Sequence, residues 1–174
     1  MMNLYNKRFP RRFALIGTAF VAAALFGMAV SVSAAPGSSY HGTFSETADG
    51  HDLGYDIHGS AKMTVGSTHT AVKVNIAGLD PATVYTSHLH NGTCASGGGG
   101  HYQNEVGPWV TPPNELWLTT NGANLVPNNG GVAHGHGFAP WVARTSSPSP
   151  STNALSVIVH APPRGARIAC ADLQ

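Results

Sequence analysis

Charge is what this sequence has least of: Asp, Glu, Lys and Arg together make up 10% of its 174 residues. The shortage is uneven. Lys7, Arg8, Arg11 and Arg12 hold four of the nine basic residues, and none of the eight acidic residues lies in that stretch. From residue 35 onward five basic residues therefore stand against eight acidic ones, a net charge of −3. A basic surface for nucleic acid is excluded on that balance. Cysteine is also scarce, with Cys94 and Cys170 alone. No segment after residue 35 carries the spacing of a long amphipathic helix, and no internal repeat is present. Against these shortages histidine is abundant: all ten follow the basic N-terminal stretch.

Residues 1–34 read as a signal peptide. The basic stretch is followed by Phe13 to Val30, an apolar run without a charge, and then by Val32-Ser33-Ala34 before Ala35, small residues where a signal peptidase cleaves. Arg11-Arg12-Phe13 is a partial twin-arginine signal. An uncleaved anchor is the alternative, since the run is close to the ~18 apolar residues at which spanning begins. The processing site favours cleavage, export to the periplasm or the cell exterior, and no stable membrane insertion afterwards. No cysteine lies near that site to carry a lipid. Two cysteines in an exported chain most simply pair with each other. Closing the loop between them would stabilise the fold by roughly 4 to 5 kcal/mol on a chain-entropy model.

The remaining domain, residues 35–174, is long enough for one sizeable core. Val72, Val74 and Ile76 alternate with Ala71, Lys73 and Asn75, and Gly78-Leu79-Asp80-Pro81 ends the run, which predicts a half-buried strand and a turn. Further extended segments are predicted at Tyr40–Thr47, Asp56–Val65, Val84–His90, Glu115–Thr120, Gly131–Ala143, Ala154–His160 and Arg167–Leu173. Eight short strands separated by Gly, Pro and Asn predict an all-β, antiparallel sandwich or flattened barrel. Two connections are long. Asn91–Asn114 holds Cys94, four consecutive glycines from Gly97 to Gly100, and His101, whereas Thr145–Asn153 is rich in Ser and Pro and reads as a surface excursion.

Among the histidines, His88 and His90 lie two apart in an extended segment, which places both imidazoles on one strand face. His101, in the glycine-rich loop, and His160, ending the apolar run Val157-Ile158-Val159, are placed to complete a four-nitrogen set. Neutral imidazoles in that number suit Cu(II), and loss of one leaves a geometry acceptable to Cu(I). The competing reading of His88 and His90 alone is a solvated strand face. His134 and His136 repeat the spacing; they read either as an accessory metal site, helped by His41, His51, His58 or His69, or as a polar exterior face with Ala133, Gly135 and Gly137 turned inward. The polar face is favoured. Trp109, Trp117 and Trp141 read as core or interface aromatics.

The order of His88-Leu89-His90, Cys94 in a glycine-rich loop, Gly100-His101-Tyr102, the strand ending at His160, and Gly165-Ala166-Arg167-Ile168-Ala169-Cys170 resembles the copper/zinc superoxide dismutase family, from about Tyr40 to Leu173. The resemblance implies an eight-stranded Greek-key β sandwich. It implies His88, His90, His101 and His160 as ligands of one copper per chain, Cys94–Cys170 as the disulfide, and Arg167 as the arginine that guides superoxide. His101 is the ligand expected to detach and take up a proton on reduction. Two departures point to a copper-only branch. Tyr102 to Thr120 contains no histidine, leaving His101 and Glu115 too few for zinc, so zinc is not expected. The connection from His160 to Cys170 is also short, where the family has a long charged loop. Glu115 is then read either as the residue that orients His101 or as an exposed edge-strand carboxylate. The function so implied is an exported copper-dependent superoxide dismutase with superoxide as substrate and a copper donor as partner. The alternative is a non-catalytic copper-buffering or copper-delivery protein on the same fold.

Overall fold

The computed structural model describes residues 37–81, 83–107, 113–122, 124–146 and 153–174. The proposed signal peptide, Trp109 and most of Thr145–Asn153 lie outside the described residues. Alternation drives the architecture. In the strand Thr70–Ala77, Val72, Val74 and Ile76 are buried while Lys73 and Asn75 are exposed, and Ala133–Ala139 alternates just as regularly. Each fully buried aliphatic side chain of this kind contributes about 1.5–3 kcal/mol. The run ends where expected: Gly78 has φ +86°, and a Cβ there would lie 1.9 Å from the Asp56 carbonyl oxygen, so only glycine fits.

Seven strands form: β1 (Ser38–Glu46), β2 (His58–Val65), β3 (Thr70–Ala77), β4 (Thr86–His90), β5 (Ala133–Ala139), β6 (Ser156–Ala161) and β7 (Ala166–Asp172). They pair antiparallel throughout in the order β4-β6-β7-β1-β2-β3-β5. β1 joins the two halves of the curled sheet. Its residues Ser38 to Phe44 pair with β2, and Ser45 and Glu46 pair with β7. The chain crosses from β3 to β4, back to β5 and again to β6, as in a Greek key. A single core, including Met63, Val72, Ile76, Leu89, Val157 and Ile168, fills the space inside.

The eighth predicted strand, Glu115–Thr120, does not form as a ladder. Leu89 N–H donates to the Leu116 carbonyl at 3.2 Å and Leu118 N–H to that of Ser87 at 2.8 Å, and then Thr119 exchanges two bonds with His136 of β5. The segment bridges the outer strands β4 and β5, and changing partner within a few residues leaves each pairing too short for a strand. One element was not expected: a short helix, α1 (Ala48–Asp52), capped by Thr47, whose Oγ1 accepts from the Gly50 N–H at 3.2 Å. Among the described residues no helix is long and apolar enough to cross a membrane.

Candidate metal centre

β6 explains why a site exists here. All six of its residues are buried, so both of its faces are covered. Val157, Val159 and Ala161 point into the core. The other face carries Ser156, Ile158 and His160, and the loop after β4 lies over it. Ser156 Oγ donates to the Gly92 carbonyl at 2.7 Å, and Gly98 packs on Ile158 so closely that a Cβ would lie 2.7 Å from its Cδ1. The Cys94–Cys170 disulfide joins this loop to β7, with the sulfurs 1.99 Å apart. Asp172 Oδ1 adds a bond from the Cys94 N–H at 2.7 Å.

Cross-strand register then brings the histidines to that covered face. Residues opposite each other in a sheet share a side. Trp117 faces His88, which faces Ile158; His101 faces His90, which faces Ser156; Thr86 faces His160, which faces Arg167. His101 is held in place by its neighbour Tyr102, a fully buried residue whose N–H donates to the Leu89 carbonyl at 2.9 Å.

The ring nitrogens of His88, His90 and His160 converge, with one donor atom of each within 4.8 Å of the others. His90 Nδ1–H donates to the Gly98 carbonyl at 3.2 Å, and His160 Nδ1–H to that of Gly165 at 2.9 Å. Both Nε2 atoms are thereby left as lone pairs, and they face each other at 3.3 Å. Two lone pairs at that distance repel unless a cation lies between them. His88 Nδ1 is buried without a hydrogen-bond partner among the described residues, a costly arrangement for a polar atom that has no ligand. Burial, and then the neighbouring imidazoles and Arg167, keep these rings neutral. His88 is pushed down to about 2, chiefly by burial and next by His101, and His90 to about 4, chiefly by burial and next by His160. His160 is lowered too, again mainly by burial. Neutral nitrogens stripped of water and aimed at one point fit a copper ion.

His101 stands apart from the other three. Its ring centre is 3.8 Å from that of His88 but 6.5 Å from that of His160, and its side chain is 40% exposed. Its Nδ1 lies 3.0 Å from Glu115 Oε2, so this carboxylate does contact the ring. Sequence reading missed two further groups on the same carboxylate. Trp117 Nε1 donates to Glu115 Oε2 at 3.1 Å, and Gln103 Nε2 donates to Oε1 at 3.3 Å. Both lie two residues from a site residue, Glu115 or His101, which is the spacing of a shared face in extended backbone. Trp117 lies outside the core, 41% exposed, and covers His88 with ring centres 4.4 Å apart. Trp141 packs partly buried against the core. Arg167 donates through Nη2 to the Gly99 carbonyl at 2.8 Å and through Nη1 to that of Gly97, which ties the loop down beside His90.

His134 and His136 are exposed, with Ala133, Gly135 and Gly137 inward. Among the described residues, no third metal-ligating group gathers with them. Apart from the histidines of β4 and β6, the one other cluster of three possible metal donors among the described residues is Cys94, Cys170 and Asp172, whose sulfurs are already bonded to each other.

No protein-family model and no curated protein sequence matches this chain. Solved structures do. Two mutants of superoxide dismutase 5 from Candida albicans superpose with a TM-score of 0.53 in each case at 19% identity. They cover 80% of this chain, and 92% and 90% of their own lengths are matched. At that identity the likeness is one of architecture: the chain has the Greek-key β fold of the copper/zinc superoxide dismutases.

Proposed function

We propose that this protein is an exported, copper-dependent superoxide dismutase, with one copper held by His88, His90 and His160 and approached by His101. The observation that carries the reading is the pair of Nε2 lone pairs of His90 and His160, facing each other at 3.3 Å with both Nδ1 atoms committed to carbonyls. Copper held there would supply one-electron redox chemistry, the capacity by which two superoxides and two protons become oxygen and hydrogen peroxide.

The chain's own residues supply the rest. Fixed Nδ1–H bonds orient the His90 and His160 rings, as outer hydrogen bonds do for metal ligands generally. Glu115, itself held by Trp117 and Gln103, accepts from His101 Nδ1 and leaves the other ring nitrogen of this half-exposed imidazole free to exchange a proton with solvent. Arg167 contributes positive charge beside the centre. In a domain of net charge −3 that attraction is local rather than global. The site as drawn needs no zinc, since Glu115 occupies the Nδ1 side of His101. The leader and the disulfide support an oxidising destination outside the cytoplasm.

One observation favours a second reading, a copper-binding or delivery protein without efficient turnover: Arg167 commits two of its five N–H groups, one on each terminal nitrogen, to loop carbonyls, a structural role that restrains its reach towards an anion. Metal-free protein loaded with copper alone separates the two. Dismutation that collapses in H160A is expected. Full copper occupancy with activity no greater than free copper in buffer would sink the enzyme reading and leave the carrier.

A further inference from the structure

The outer face of the other half of the sheet carries a second ordered array, unrelated to copper. Register sets His41 of β1 opposite Lys62 of β2, Lys62 opposite Lys73 of β3, and Lys73 opposite His136 of β5. All four side chains are exposed. Lys62 and Lys73 are the only lysines after Lys7, and the sheet places them side by side. Like charges directly opposed across strands are destabilising. Among the described residues neither lysine has a carboxylate within 4.0 Å to offset this. Two residues along the strands a second row runs parallel to the first: Thr43, Ser60, Asn75 and His134, again in register and again exposed.

Two hollows lie side by side on this face, one towards β1 and one towards β5, with Ser60 and Lys62 as the walls they share. The hollow between β2 and β5 has no carboxylate in its walls. The walls of the hollow beside β1 include Asp172, turned to the Cys94 N–H, and Gln174, whose main-chain oxygen takes the His41 N–H at 2.8 Å. Strands lie about 4.8 Å apart, so Lys62 and Lys73 stand at a spacing close to that of neighbouring sugar rings in an extended polysaccharide.

We propose that this face binds an acidic polysaccharide built of uronic acid units, with Lys62 and Lys73 pairing carboxylates and Thr43, Ser60 and Asn75 hydrogen-bonding ring hydroxyls. A uronic acid ring carries its carboxylate at one edge and hydroxyls at the other, which matches the Lys62–Lys73 pair beside Thr43, Ser60 and Asn75. Single-stranded nucleic acid fits less well, because the only rings in the two rows are the imidazoles of His41, His134 and His136, and neither row holds a Phe, Tyr or Trp for bases to stack on. An anionic membrane draws on the same two lysines, about 2 kcal/mol of attraction, but offers no ring hydroxyls for Thr43, Ser60 and Asn75. The inference is independent of the metal centre, which lies on β4 and β6.

Isothermal titration of the purified protein with a short oligogalacturonate tests it. Binding that weakens with added salt is expected, with Kd raised roughly tenfold in K62Q/K73Q, as two exposed ion pairs of up to about 1 kcal/mol each would give. K62R/K73R should retain binding, and R164Q, which removes one positive charge elsewhere, should leave it unchanged. No binding by the native protein, equal binding by K62Q/K73Q, or tighter binding to phosphatidylglycerol vesicles than to oligogalacturonate would each overturn the proposal.

Discussion

Two His-x-His pairs in this chain have the same spacing and opposite fates. His88 and His90 on β4 are 2% and 0% exposed, while His134 and His136 on β5 face solvent. The period of two places both members of each pair on one face, and nothing in the pair itself selects the face. On β4 the face is outward from the core yet covered by the glycine loop that the disulfide holds to β7. On β5 the opposite face holds Gly135 and Gly137, whose missing side chains make room for Leu125 and Leu116. Burial turns the first pair into neutral, dehydrated nitrogens; exposure leaves the second in water.

Several perturbations would break or sharpen that contrast. The largest effect is expected from H90A or H160A. Removing an outer partner of a metal ligand costs about 10–100-fold in affinity, so losing one of the facing Nε2 atoms should weaken copper binding by more than ~100-fold. Competition with a copper chelator measures this. Opening the disulfide in C94A/C170A should cost about 2–5 kcal/mol in urea unfolding. It should also loosen the loop whose Gly98 carbonyl orients His90, so copper affinity should fall with stability. An unchanged affinity would mean that β4 and β6 hold the site without the loop.

Glu115→Gln is expected to act less strongly, lowering dismutation roughly tenfold while leaving copper stoichiometry intact, because it touches His101 and none of the three convergent rings. Acidity should act through the buried histidines, His88 and His90 on β4 and His160 on β6. The folded pKa values of His88 and His90, about 2 and about 4, lie below the unfolded value of about 6.5. The unfolded chain therefore takes up protons that the folded chain refuses. Stability of the metal-free protein should be full above pH ~6.5 and fall by about 1 kcal/mol per pH unit per imidazole as pH drops toward 4. Thermal melting across that range reads it, and a flat profile would contradict the burial of these rings. Smallest of all, H134Q/H136Q should change stability by no more than about 0.5 kcal/mol and leave copper per chain unaltered. A fall in stoichiometry would show that the exposed pair does bind metal.

Much of the fold was legible because alternation is a local signal. Val72, Val74 and Ile76 announced β3, and Ala133, Gly135 and Gly137 correctly announced the inward side of β5. Glu115–Thr120 misled because its alternation is real while its hydrogen bonds are divided between β4 and β5. Trp117 was not legible as part of the site: aromatic character predicts the core or an interface, and only the fold lays this ring over His88 with its N–H on Glu115.

The sequence by itself determined which residues could bind metal, which cysteines could pair, and which side chains share a strand face, since these follow from side-chain chemistry and a backbone period of two. Tertiary structure alone decided that His88, His90 and His160 meet, because their convergence depends on β4 pairing with β6 in one register across some seventy residues of chain. It also decided that His101 stays at the edge with Glu115, and that Lys62 and Lys73 stand together on the far side. Register between distant strands is set by the packing of the whole core, and no local pattern carries it.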